Sequence, residues 1–202
     1  MKQTYRSRVA FVLGWVWLAF VALNVWDLIA RYTGKSSLIA LAVLGVLTAL
    51  VYVVALRPAT VFTEAGLVGR NPFRTTFLPW TAIDDVSVSH SINVQYGEER
   101  TLRLWTPMSS ARERARAQRR GVPKQERGRL RTEPRLSKPE QAAMEAFTGK
   151  THADWVGDQI RERAESARRR DETAEPARVT WSYDAIAVVA AAFVLVVVAA
   201  VI

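Results

Sequence analysis

The side chains that could do chemistry in this sequence are few and scattered. His90 and His152 are its two histidines, and it has no cysteine. No disulfide, thiolate metal centre or cysteine nucleophile can therefore be assembled. Asp84 and Asp85 are adjacent, so in a strand they point to opposite faces and are expected as solvated turn carboxylates rather than a pair sharing a proton. The sequence has no glycine-rich phosphate loop and no carboxylates clustered at metal-ligand spacing. It predicts no catalytic residue, no metal, no cofactor and no enzyme.

Arginine is the residue type that recurs. The 202 residues carry 28 basic against 19 acidic side chains, a net charge of +9. From Arg112 to Arg135 there are ten basic residues, three acidic ones, two glycines and two prolines. Such a run is expected as a helix fragment followed by mobile chain. Arg112, Arg114, Arg116, Arg119, Arg120, Lys124, Arg127, Arg129 and Arg131 are the candidate contacts to anionic lipid or to a partner. Near an anionic bilayer each contributes up to about 1 kcal/mol, less as salt screens it. Nucleic acid is the rival ligand, but without interleaved aromatics for base stacking such binding is unspecific, and no specific nucleic acid is expected. Arg70 and Arg74, flanking the turn Asn71-Pro72-Phe73, form a second candidate anion site.

These side chains are carried between apolar blocks. The mean hydropathy sits near zero, an average over three apolar stretches and a polar middle. Val9 to Trp26 is about 27 Å long as a helix, enough to span a bilayer, and the first span is placed at about 9–30. It is too long for a signal peptide and lacks a small-x-small cleavage site. Leu38 to Leu56 is a second, uncharged span, and the short link between the two permits only a hairpin. The third block, 185–202, follows Trp181 and Tyr183, rings that favour the headgroup level, and reads as a membrane anchor. Lys2, Arg6 and Arg8 outweigh Arg31 and Lys35, and Arg57, Arg70, Arg74, Arg168 to Arg170 and Arg178 add to the same side. The positive-inside rule then predicts N-terminus in, C-terminus out and a cytoplasmic middle region in the plasma membrane. Asn24 and Asp27 are expected as interface residues, Asp27 in reach of Arg31, and Gly45 with Ala49 forms a small-xxx-small pair that permits close helix approach.

The middle region has strand grammar. TVFT, LVGR and TTFL are separated by Glu64-Ala65-Gly66 and Asn71-Pro72. From Val86 to Tyr96, Val86, Val88, His90, Ile92, Val94 and Tyr96 share one face, either as one bent strand or as two meeting near His90, with the histidine in the core or at its rim. The turn Gly97-Glu98-Glu99 leads into Thr101 to Trp105. Thr151 and Asp154 have capping-box spacing and open a helix to Arg170 whose apolar stripe is Trp155, Val156, Ile160, Ala164 and Ala167. Ser137 and Glu140 open a shorter one, Pro139 to Phe147.

The run Pro79-Trp80-x-x-Ile83-x-x-Val86-x-Val88, after a hairpin containing Asn71-Pro72-Phe73, resembles the bacterial pleckstrin-homology (PH) domain-containing membrane proteins of actinobacterial type. The resemblance covers roughly Ala59 to Trp105 and a later helix. It implies a small curved β-sandwich or partial barrel closed by a C-terminal helix, with Trp80, Ile83, Val86 and Val88 in its core. In lipid-binding members a basic cluster occupies the connection between the first two strands. Here that connection is Glu64-Ala65-Gly66, so the resemblance speaks for the fold more than for inositide recognition.

The expected architecture is an α+β membrane protein: a transmembrane hairpin over 1–57, a PH-like cytoplasmic domain over 58–171 with a basic insertion at 106–136, a linker at 172–184 and a span at 185–202. The expected role is non-enzymatic, an interaction or scaffolding module at the inner leaflet that binds anionic phospholipid or another membrane protein. The alternatives are an assembly subunit acting through its spans and, more weakly, non-specific nucleic-acid contact through the basic segment.

Overall fold

The computed structural model describes residues 2–121, 150–170 and 175–202. Strand β1 (Gln3–Tyr5) leads into helix α1 (Arg8–Ala30), and α2 (Lys35–Val51) returns and ends in a π turn, Tyr52–Leu56. The hairpin between them turns at Gly34, whose φ of 79° is open to glycine at no steric cost. Then come β2 (Ala59–Phe62), β3 (Gly66–Arg70), β4 (Arg74–Pro79), β5 (Ile83–Val88), β6 (Ser91–Tyr96) and β7 (Arg100–Met108). Helix α3 (Ala111–Gly121), helix α4 (His152–Arg169), strand β8 (Arg178–Trp181) and helix α5 (Tyr183–Val201) complete the described elements.

Helices α1, α2 with its π turn, and α5 are each long and apolar enough to cross a membrane, and their large side chains are largely exposed, as lipid-facing residues must be. Small residues let the spans approach. Ala185, Ala192 and Ala199 recur every seven positions on the buried side of α5, and Ala42 and Ala49 do so on α2. A methyl group on Gly45 would stand 2.9 Å from Leu195, so the Gly45/Ala49 pair lies where α2 meets α5. The hydroxyl of Thr48 ties α1 to α2, accepting from Trp17 Nε1 at 3.2 Å and donating to Leu44 O at 2.6 Å. At the far end Asp27 pairs with Arg31 at 3.1 Å, while Asn24 donates back to Phe20 O within its own helix.

The described strands form two antiparallel sheets, β1-β2-β3-β4-β8 and β5-β6-β7. Their inner faces pack Phe62, Leu67, Leu78, Ile83, Val86, Ile92, Val94 and Leu104 into one core, and α4 closes it with Val156, Ile160, Ala164 and Ala167. This is the expected α+β fold. The long alternating run is two strands, with Val86 opposite Val94 and Val88 opposite Ile92. Cross-strand partners share a face, so folding the run into a hairpin keeps its apolar side inward.

Two side chains stand elsewhere than the sequence reading expects, each for a physical reason. His90 is at the hairpin tip and exposed rather than in the core, because the chain reverses there and Ser89 N bonds Ser91 O at 3.0 Å. Trp155 lies at the rim of α4, edge-on to Tyr5 and stacked on His152, while Ala153 and Gly157 take the inward positions. Gly157 is there because any Cβ would run into the Val88 side chain. Strands β1 and β8 were not expected, and the stretch assigned to a linker, 172–184, contains β8. The helix expected at Pro139 to Phe147, with its Ser137 and Glu140 cap, lies outside the described residues.

The α4 cap is as expected: Asp154 N donates to Thr151 Oγ1 at 3.3 Å, and Thr151 N to Asp154 Oδ2 at 2.8 Å. From this helix Arg161 and Arg168 donate to the carbonyls of Val86 and Ile83 in β5. Because β5 is a sheet edge, the two guanidinium groups occupy acceptors that another chain could otherwise pair with. Tyr5 donates to Gln159 at 2.7 Å and fixes β1 against α4; burial raises its phenol above the usual range, opposed by Arg163.

Candidate functional site

Every span enters the five-stranded sheet almost without a linker. Arg6 and Ser7 join β1 to α1, Arg57 and Pro58 join the π turn to β2, and Ser182 alone joins β8 to α5. The junction of membrane and domain is thus built from consecutive regular elements. The π turn closes through Arg57 N to Tyr52 O at 2.9 Å, and its extra residue shifts the helical phase at which the chain leaves the span.

Arg57 is thereby turned into the junction. Its side chain is 7% exposed. Nε donates to Asp184 Oδ2 at 3.0 Å, Nη2 to Asp184 Oδ1 at 3.4 Å and to Thr75 Oγ1 at 3.2 Å. Further bonds run from Nη1 to Asn71 O and from Nη2 to Ser182 Oγ. Tyr52 adds a hydroxyl to Asp184 at 3.0 Å. One guanidinium therefore ties the end of α2 to the β3–β4 hairpin and to the first turn of α5. Sequence reasoning counted Arg57 only as a flanking charge; the signal available was Asp184, a carboxylate in the first turn of a span.

Asn71 extends the junction to the other sheet. Its Nδ2 donates to Arg103 O at 2.8 Å and its Oδ1 accepts from Trp105 N at 3.1 Å. The side-chain amide thus pairs with the backbone of β7 as another strand would. Beside it lies an open cleft of about 570 Å³ between α2, the hairpin tip, β7 and α5. Val53, Val54 and Val189 from the spans give it an apolar wall, and Phe73, Arg74, Arg103 and Trp105 line it from the domain.

The candidate anion pair is not brought together. Arg70 stands opposite Thr75 and Asn71 bonds Arg74 across the turn, so strand alternation places Arg70 and Arg74 on opposite faces. Arg70 is exposed on the outer face, whereas Arg74 stacks on Trp181 with 4.7 Å to the ring centre. The basic residue that shares a site with Arg74 is Arg103, which sequence reasoning did not single out. The β2–β3 connection is a tight turn closed on Thr63, whose N donates to Gly66 O at 2.9 Å, with Glu64 at its tip.

Of the basic run, α3 is described. It opens with Ser110 Oγ accepting from Glu113 N at 3.1 Å. Arg112 and Arg116 are exposed, and Arg114 is half-buried and donates to Ser109 Oγ at 2.9 Å. Arg119 and Arg120 are in the same helix, while Lys124, Arg127, Arg129 and Arg131 lie outside the described residues. Trp80, Ile83 and Val86 are buried and Val88 packs against them half-buried; Trp80 Nε1 donates to Thr63 O at 3.1 Å. Among the described residues no group of three or more acidic or histidine side chains could hold a metal ion.

Two antiparallel sheets around one core, closed by a helix and joined to apolar spans, define a membrane-anchored β-sandwich module. Residues 57–124 match the family model of the bacterial PH domain, and the chain is a bacterial PH-domain-containing protein. The match begins at Arg57, so the residue that clamps the spans is the first of the matched segment, while α4, β8 and α5 lie beyond it. No curated protein and no solved structure matches the chain.

Proposed function

We propose that this protein is a non-enzymatic interaction module of the inner leaflet, whose spans hold a cytoplasmic PH domain in one fixed attitude so that α3 meets anionic headgroups. The observation that carries this reading is the attachment of all three spans to one sheet, reinforced by Arg57. A domain so held is kept at high effective concentration beside the bilayer, and even weak contacts are then populated. The position of α3 supports the choice of surface. Thr106 in β7 accepts a hydrogen bond from Thr60, the second residue of β2, and α3 starts shortly after. The helix therefore leaves the domain at its span side, with Arg112 and Arg116 exposed. PH domains are generally non-catalytic, which agrees with the scarcity of catalytic residue types.

Orientation is tested by cysteine labelling, since the chain has no cysteine of its own. With an impermeant maleimide on intact cells, Ser36→Cys is expected to label and Ser166→Cys to stay unlabelled; the reverse result overturns the inner-leaflet placement. The contact is tested by hydrogen exchange of residues 111–121 with the full chain in nanodiscs. Phosphatidylglycerol is expected to protect the helix relative to phosphatidylcholine alone, with protection lost in Arg112→Gln/Arg116→Gln or at high salt. Equal exchange in both lipids sinks the lipid contact, and protection confined to native membranes points to a protein partner.

A second reading, an assembly subunit acting through its spans, is favoured by a different feature. An apolar cleft of about 450 Å³ opens between α2 and α5 at the Ile39, Val43 and Val196 level, wide enough to receive side chains of another span. Under that reading, neutralising α3 leaves the set of partners unchanged.

A further inference from the structure

From the junction cleft we infer a second lipid site: it holds one anionic phosphoglyceride of the leaflet that faces the domain, with phosphate between Arg74 and Arg103 and an acyl chain along α2 and α5. This rests on the spans crossing a bilayer, not on the α3 contact, so the two fail separately.

The charges point to an anion. Arg74 and Arg103 line the same cleft, no carboxylate lines it, and neither guanidinium has an ion-pair partner among the described residues. Arg57, at the same junction, is by contrast consumed by Asp184. Arg103 commits only Nε, to Ser91 Oγ at 2.9 Å, and Arg74 presents its ring-stacked plane with its N–H edge free of carboxylate. A phosphate diester accepts two such forks at once, and a headgroup carrying its own ammonium would repel the second cation.

Depth selects a lipid rather than a soluble anion. Val54 and Val189 are exposed on the spans themselves, so the apolar wall of the cleft continues onto the surface that acyl chains cover. Phe73, Trp105, Trp181 and Tyr183 are exposed around the same level, where amphipathic rings mark the headgroup region. A water-soluble peptide would have to enter the bilayer to reach this wall, whereas a phospholipid is already there. The volume, about 570 Å³, lies in the range of small-molecule sites.

The test uses the full chain purified in a mild detergent and titrated with phosphatidylglycerol or phosphatidylcholine, with retained lipids counted by native mass spectrometry. One phosphatidylglycerol is expected to stay bound at least about tenfold more tightly than phosphatidylcholine, as two charge-assisted contacts allow. Arg74→Gln/Arg103→Gln is expected to remove that preference, and Arg70→Gln, on the outer face of the same hairpin and outside the cleft, to keep it. Val54→Trp, at a bilayer-facing position that tolerates a large ring, fills the apolar half and is expected to lower retention of both lipids; it carries the test should the arginine variant not fold. Equal retention of the two lipids by the wild type, or an unchanged preference in the folded cleft variants, overturns the proposal.

Discussion

Replacing Arg57 by alanine is expected to destabilise the protein by about 3–5 kcal/mol, the range for breaking a buried, hydrogen-bonded charge pair from one side. The two partners are not equivalent. Arg57 is 7% exposed and Asp184 is 50% exposed, so water can take over the carboxylate but not the acceptors that the guanidinium leaves behind. Asn71 O and Ser182 Oγ lose their donor in the junction, and the end of α2 is cut loose from the hairpin and from α5. Asp184→Asn keeps an oxygen facing Nε at a half-wet position, where the Coulomb term is strongly discounted, and is expected to cost only about 1 kcal/mol. Arg57→Lys should fall between, since one ammonium cannot serve a carboxylate, a carbonyl and two hydroxyls arranged around a planar fork. Unfolding of the full chain in mixed micelles, followed by tryptophan fluorescence, reads the order. An Asp184→Asn loss as large as that of Arg57→Ala would show that the ion pair, rather than the buried hydrogen bonds, holds the junction.

The elements that could be read from sequence are those whose cause is local. Continuous apolar composition marks the spans, a period of two marks β2 to β7, and the Thr151/Asp154 pair marks the start of α4 because both halves of the cap lie within one turn. What escaped is non-local. Strand β8 has no buried residue and β1 only the half-buried Tyr5; backbone pairing with β4 and β2 makes them strands, and backbone pairing leaves no trace in side-chain pattern. Arg57 finds its partners 127 residues downstream in Asp184 and 14 downstream in Asn71. Arg70 and Arg74 looked like neighbours because they flank a turn, yet the register of that turn, which spacing alone does not fix, sends them to opposite faces.

The two unexpected strands explain how a small domain keeps its attitude. β1 and β8 are the two edges of the larger sheet, and each leads within one or two residues into a span. The internal strand β2, next to the β1 edge, is entered from the π turn. A rotation of any one span relative to the others would shear the pairing of this sheet, and the hydrogen bonds of the ladder resist it. The PH domain is therefore less a module on a tether than a direct continuation of the three apolar helices.

Ile160→Ala tests where α4 gets its hold, and it is expected to cost about 2–5 kcal/mol, the range for truncating a fully buried aliphatic side chain. Ile160 is 0% exposed and sits among the core residues of both sheets. Trp155, the larger and more conspicuous member of the apolar stripe, is 41% exposed, and its ring touches Tyr5 and His152 at the rim. Trp155→Ala is accordingly expected to cost about 1 kcal/mol, the value of an edge contact between rings with most of the water already present. Chemical denaturation of the full chain in detergent measures both. If Trp155→Ala proved as damaging as Ile160→Ala, the helix would be held at its rim through β1, and the closing of the sandwich would depend on the strand that precedes the first span rather than on the core.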